Sequence, residues 1–280
     1  MTTPNYTFTW AEQLSPRLLK SPWWIGHIPF AYELIGRLHP RTIVELGTYS
    51  GSSFAAFCQA MQAAGVDGKC YGVDLWEGDI HMGRFDESLF EEVRGYMQRE
   101  YPMHAVLIRK DFNSAADDFN AGSIDLLHID GTHTYEAVSN DFNTWLPKMS
   151  SRGVVLFHDT NVTVEKAGEA ALRFGVRRLF DEVKASYTHF EFDHCWGLGV
   201  LLVGSEVSEP VRELIQPDDP ATIKAYFAAK GEVVSRQFEA LGVELPKHGE
   251  YSQSHSNQGE TAPWRQRLGR LAESARRLFA

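Results

Sequence analysis

Two short blocks carry the side chains best suited to chemistry: IDLLHIDGTHTY at 124–135 and GVVLFHDT at 153–160. Each is an apolar run that ends in acid and imidazole. Ile124 to Ile129 leads into Asp130 and His133, and Gly153 to Phe157 leads into His158 and Asp159. Predominantly apolar runs of this length read as strands buried on both faces, hence a parallel sheet. Parallel sheets bind ligands at the carboxyl ends of their strands. Two adjacent strand ends would aim these four side chains at one crevice, an oxygen and nitrogen set suited to a divalent cation beside a base.

A second constellation lies upstream. VELGTYSGSS (44–53) joins an apolar run to a helical pattern, with Gly47 and Gly51 permitting close backbone approach and positive φ. The helix starting near Ser52 offers free N–H groups to an anion. The next run, CYGVDLW, ends in Asp74, where an acid accepts from ribose hydroxyls. The third ends in Lys110-Asp111-Phe112, an acid and an aromatic suited to an adenine edge and face. Either acid could instead cap a turn, but three such groups at consecutive strand ends form a pattern. The GxxxG spacing argues against a dinucleotide fingerprint, which is GxGxxG.

These groups need a scaffold, and the pattern supplies one. Strands are expected at 42–46, 69–74, 104–110, 124–130 and 153–158. They alternate with helices at 52–64, 87–100, 113–120 and 135–146. Such alternation predicts an α/β, doubly wound sheet. A helix near 165–186 precedes a closing antiparallel pair at 188–192 and 199–203. Residues 1–40 read as an N-terminal cap, with a helix at 28–38. Residues 41–205 form the main domain, and 206–245 a helical appendage with a helix at 220–241. Within the cap, Trp23, Trp24 and His27 either line an acceptor pocket or pack as a lid. His128, inside an apolar strand, reads as a core histidine.

The quoted motifs resemble the class I S-adenosylmethionine-dependent methyltransferases, and most closely the sugar and small-molecule O-methyltransferases found with bacterial glycosyltransferases. The resemblance covers about residues 27–203 and rests chiefly on HIDGTHTY and VVLFHDT. It implies a seven-stranded Rossmann-like sheet with the last strand antiparallel. It implies S-adenosylmethionine as cofactor, with Glu45 and Ser53 at the methionine part, Asp74 at the ribose and Asp111 at the adenine. Gly47, Tyr49 and Asp130 complete the cofactor set, and WEGDIHMG (76–83, containing His81) is similar to the loop such relatives place over the cofactor. It further implies magnesium or manganese at Asp130 and Asp159, with His133 as general base. The third ligand departs from the usual paired oxygens: it is His158 or Thr160, and His158 is taken here. The acceptor implied is a sugar hydroxyl of a surface glycan or glycosylated metabolite. An NAD-dependent oxidoreductase and a non-catalytic binding module are the alternatives.

Bulk composition narrows the setting. The net charge is −10, and residues 246–280 contribute +3 of their own, leaving an acidic body that argues against nucleic acid as a partner. Cys58, Cys70 and Cys195 form no disulfide framework, which suits a reducing cytoplasm. The first residues do not read as a signal peptide. Residues 246–263 are polar and read as a flexible linker. Residues 264–280 place Trp264, Leu268, Leu271, Ala275 and Leu278 at helical intervals against arginines. That basic amphipathic helix would suit the inner membrane face, a partner helix or the protein's own body. A homo-oligomer stays open.

Overall fold

The computed structural model describes residues 6–80 and 82–242. His81, the linker at 246–263 and the basic segment at 264–280 lie outside the described residues. The chain opens with α1 (Thr9–Gln13) and α2 (Ile28–Leu38), then enters the alternation with β1 (Thr42–Leu46), α3 (Ser52–Ala63) and β2 (Lys69–Asp74). A small hairpin follows, β3 (Gly78–Asp79) and β4 (Gly83–Arg84), leading into α4 (Glu87–Glu100), β5 (Ala105–Arg109) and α5 (Phe112–Ala116). Next come β6 (Ile124–Ile129), α6 (Tyr135–Trp145) and β7 (Met149–His158). The last elements are α7 (Val164–Ala167), α8 (Val176–Val183), β8 (Thr188–Phe192), β9 (Leu198–Leu202), α9 (Glu209–Ile215) and α10 (Pro220–Ala240).

Seven strands form one sheet in the order β5-β2-β1-β6-β7-β9-β8. β9, the last in the chain, runs antiparallel to both its neighbours, while β5, β2, β1, β6 and β7 pair in parallel. The expected doubly wound sheet is therefore present, with its last strand reversed. The chain builds outward from β1 to β5, then returns to place β6 on the other side of β1. That reversal opens a crevice at the carboxyl ends of β1 and β6.

Burial explains the strand pattern. Every residue of β6 is buried, as are the last six of β7, because helices cover both faces. One face carries α2, α3, α9, α10 and the residues of the cap, which share a core built on Phe30, Phe54, Phe57 and Phe227. The other carries α5, α6 and α8 over Phe142, Trp145, Phe157 and Phe180. Local signals set the helix starts. Asp86, Thr134 and Asp219 each accept a backbone N–H of the helix they cap, from Ser88, Ala137 and Thr222.

Two elements differ from the sequence reading for identifiable reasons. β7 begins at Met149, ahead of Gly153, because the polar stretch 149–152 continues the strand past an irregularity opposite Ile124–Leu126. The helix expected over 165–186 breaks into α7, a 3-10 segment and α8. The break is tertiary in origin: Gly175 N donates to His133 O at 2.7 Å. A Cβ at Gly175 would lie 2.2 Å from Tyr135 N, so only glycine fits that approach. The β3–β4 hairpin and α9 carry too little periodicity to be read from sequence.

Candidate active site

The crevice is built around one backbone contact. Asp130 N donates to Leu46 O at 2.9 Å, holding the end of β6 to the end of β1. Gly47 follows with φ 92°, and a Cβ there would lie 2.1 Å from Asp130 O. No side chain fits, so the first glycine of the loop serves close packing as much as ligand approach.

Asp130, His133 and Asp159 then converge, each offering one ligand atom within 4.8 Å of the others. His133 Nε2 lies 2.8 Å from Asp159 Oδ2 and 3.4 Å from Asp130 Oδ1. Asp159 reaches this position through a left-handed backbone, φ 63°, fixed by its N–H donating to Gly197 O at 3.1 Å. Phe174 stacks on the His133 ring, centroids 5.0 Å apart and planes 23° off parallel.

His158 takes a different place from the ligand role read for it. Its ring is buried behind Asp130, with Nδ1 3.1 Å from Asp130 Oδ1 and Nε2 3.2 Å from the carbonyl of Cys195. Both partners accept, so both nitrogens donate and the ring is an imidazolium with no lone pair for a metal. Successive residues point to opposite sides as a strand ends, which turns His158 inward and leaves Asp159 in the crevice. The third group of the cluster is His133, whose Nε2 faces both carboxylates. Thr160, the other candidate, is fully buried, and its Oγ1 has no partner among the described residues.

Charge explains the protonation of the cluster. Burial disfavours the charged form of His133, but the carboxylates of Asp159 and Asp130 outweigh it and raise the pKa to about 10. Burial likewise works against His158, yet the same two acids hold its pKa well above the usual value. Burial would raise Asp130, but the charge of His158 and a hydrogen bond from His133 pull it well below the carboxylate range. Asp159 is lowered in the same way. Two anions thus face two imidazoliums. Two hard oxygen donors beside an exchangeable imidazole proton fit a divalent cation.

The cofactor residues divide into two groups. Asp74 sits at the end of β2 and accepts from Tyr49 N at 2.9 Å and Trp76 N at 2.7 Å. Burial raises its pKa against those N–H bonds, and a carboxylate retains acceptor sites beyond two. Tyr49 has φ 45° and packs its ring on Phe85 at 4.9 Å. Glu45 and Ser53, by contrast, turn into the wall. Glu45 is fully buried against His128, and Ser53 is buried at the start of α3. Asp111 is exposed and caps α5, accepting from Ser114 N at 3.0 Å, so the structure gives it a local role. Sequence reasoning missed Phe174 and the Cys195 carbonyl, since neither residue type announces such contacts.

Residues 44–160 match the family model described as Methyltransferase domain. The chain is 39% identical over 224 residues to the uncharacterized protein y4gI of Sinorhizobium fredii, an alignment covering 79% of this chain. It spans only 24% of the length of that relative. A Staphylococcus aureus protein provisionally named a caffeoyl-CoA O-methyltransferase superposes with a TM-score of 0.50 at 14% identity, over 66% of this chain and 84% of its own. At that identity the likeness concerns the fold. Residues 44–160, which hold the glycine loop, Asp74 and the Asp130–His133–Asp159 cluster, are thus similar to a methyltransferase domain, and the chain shares the fold of the Staphylococcus aureus protein.

Proposed function

We propose that the protein is an S-adenosylmethionine-dependent O-methyltransferase, assisted by a divalent cation and acting on a sugar hydroxyl of a glycan or glycosylated metabolite. The observation that carries the reading is the convergence of Asp130, His133 and Asp159 within 4.8 Å, beside the Gly47 loop of a methyltransferase domain. S-adenosylmethionine supplies an electrophilic methyl group on its sulfonium. A divalent cation supplies Lewis acidity that lowers the pKa of a nearby hydroxyl.

The residues divide the remaining work. Asp74 accepts from the ribose hydroxyls while its bonds from Tyr49 and Trp76 keep the carboxylate in place. Asp130 and Asp159 are the residues that would hold the cation. His133 Nε2 would remove the acceptor proton as that oxygen gains the methyl group and the methyl–sulfur bond breaks, leaving neutral S-adenosylhomocysteine. For this, His133 must first be neutral, and it is protonated here because two carboxylates face it. A cation held by those carboxylates would remove the cause of the raised pKa and leave His133 Nε2 free to accept a proton. Most of the rate then comes from positioning and charge.

Two half-buried tryptophans support a sugar acceptor. Trp23 and Trp196 lie with ring centroids 6.3 Å apart, and Trp196 O accepts from Asn161 N, two residues beyond Asp159. Aromatic faces of this kind pack against the C–H face of a sugar ring. The basic segment 264–280 would bring the enzyme to lipid-linked acceptors at a membrane surface.

Calorimetry with S-adenosylhomocysteine and with NAD tests the cofactor, and methyl transfer to a panel of glycans and catechols tests the acceptor. Binding of NAD in place of S-adenosylhomocysteine ends the methyltransferase reading. Transfer to catechols alone ends the sugar reading.

A further inference from the structure

The carbonyl of Cys195 is used twice. His158 Nε2 approaches it at 3.2 Å and His27 Nε2 at 3.1 Å. A carbonyl offers two lone pairs, and both are engaged. His158 belongs to the cluster through Asp130, whereas His27 belongs to the cap, at the entrance of α2. We propose that His27 is a positioning residue of the active site: its N–H holds the Cys195 carbonyl on which the orientation of His158, and through it Asp130, depends. The connection does not rest on the proposed function, except where the cation is used as a probe.

The segment that carries this carbonyl is held on both sides. Cys195, Trp196 and Gly197 have φ of 46°, 70° and 94° in succession. Two consecutive non-glycine residues in that region persist only where the surroundings over-determine them. On one side, Trp196 O and Gly197 O accept from Asn161 N and Asp159 N at the end of β7. On the other, Cys195 Sγ lies 3.0 Å from Trp23 O, and His194 Nε2 lies 3.2 Å from Gly26 O. The turn is therefore sewn between the cap and the strand end that supplies Asp159.

His27 itself is unusual for a packing residue. It is fully buried, and its Nδ1 has no hydrogen-bond partner among the described residues. Burial and the neighbouring His194 and His158 hold its pKa well below the ordinary value. A neutral ring facing a carbonyl must carry its proton on Nε2, leaving Nδ1 bare. An apolar side chain would fill the same space without stranding a polar atom. The polar choice is explained by the bond to Cys195.

The test compares His27→Leu, which removes the donor, with His27→Gln, whose amide nitrogen can occupy the Nε2 position. The main readout is the His158 Nε2–H resonance of the full-length, nitrogen-labelled protein. It is expected to shift or broaden in the Leu variant and to return in the Gln variant. Manganese added alone should bind roughly tenfold more weakly to the Leu variant, a loss in the range expected when a group that orients a ligand is removed, and near normally to the Gln variant. S-adenosylhomocysteine affinity should stay within about twofold in both, since Asp74 is not part of the chain of contacts. A folded Leu variant with an unmoved His158 resonance overturns the proposal, as does a Gln variant damaged as much as the Leu variant. Should His27→Leu fail to fold, His27→Asn, whose amide stops short of the carbonyl, carries the same expectation. A parent protein that binds no manganese refutes the metal reading alone, because the resonance still decides the role of His27.

Discussion

Glu45 and His128 face each other across β1 and β6, partners in register, with Glu45 Oε2 2.9 Å from His128 Nδ1 and neither side chain exposed. The rings of Trp24 and Phe57 close over the histidine edge-on at 5.2 and 5.4 Å. Glu45 Oε1 and His128 Nε2 have no further partner among the described residues. Removing one member therefore leaves a stranded group. His128→Leu should destabilise the fold by on the order of 3–5 kcal/mol in urea denaturation, and the double variant with Glu45→Met should recover most of that loss. A double variant as unstable as the single one would mean that the pair is not the source.

Asp141, on α6, makes the stability of the fold depend on pH. Burial pushes its pKa up to about 7, against a weak hydrogen bond from Asn140. The folded value lies above the unfolded value of about 3.9, so the folded protein binds the proton more tightly. Stability from this group is therefore greatest below about pH 4 and is lost as the pH rises through about 7. Asp141→Asn should flatten this window and stabilise the protein at pH 8 by on the order of 2–4 kcal/mol. Denaturation midpoints of both proteins across pH 4–8 provide the check, and parallel curves would contradict the assignment.

The cation and the proton of His133 should compete. With its pKa raised to about 10 by Asp159 and Asp130, His133 is protonated at pH 8. Manganese binding at that pH should release close to one proton, seen as a buffer-dependent heat in calorimetry. His133→Gln should abolish the release and lower turnover by roughly 10²–10⁴-fold while retaining manganese. Loss of manganese binding in that variant would make His133 a ligand in place of a base.

Asp74 and Asp111 should respond differently to removal. Asp74→Ala takes away the acceptor at the end of β2 and should weaken S-adenosylhomocysteine binding by about 1–3 kcal/mol. Asp111→Ala removes the cap of α5, which costs about 0.5–2 kcal/mol of stability, and should change binding less. Equal losses of affinity would return Asp111 to the adenine site.

Deleting residues 264–280 should leave transfer to a soluble acceptor unchanged and reduce pelleting with vesicles containing anionic lipid. Added salt should weaken the pelleting of the full-length protein. Equal pelleting of both proteins would remove the membrane role. Among the described residues no helix is long and apolar enough to cross a membrane.

What the sequence determined by itself is what depends on neighbours along the chain. Apolar runs at 42–46 and 124–129 become strands because both faces are covered, and their ends carry Asp130 and the glycine loop without further information. Caps such as Thr134 start helices by bonds three residues away. Tertiary structure decided whatever depends on partners far apart in the chain. Whether His158 or Asp159 enters the crevice follows from the hydrogen bond between Asp159 N and Gly197 O, which turns the backbone left-handed at that residue. Glu45 was read as a ligand contact, yet it lies opposite His128, 83 residues later, and the pairing of strands assigns it to the wall. His27 and Cys195 are 168 residues apart. Their contact exists only because the cap and the β8–β9 turn pack against the same strand end.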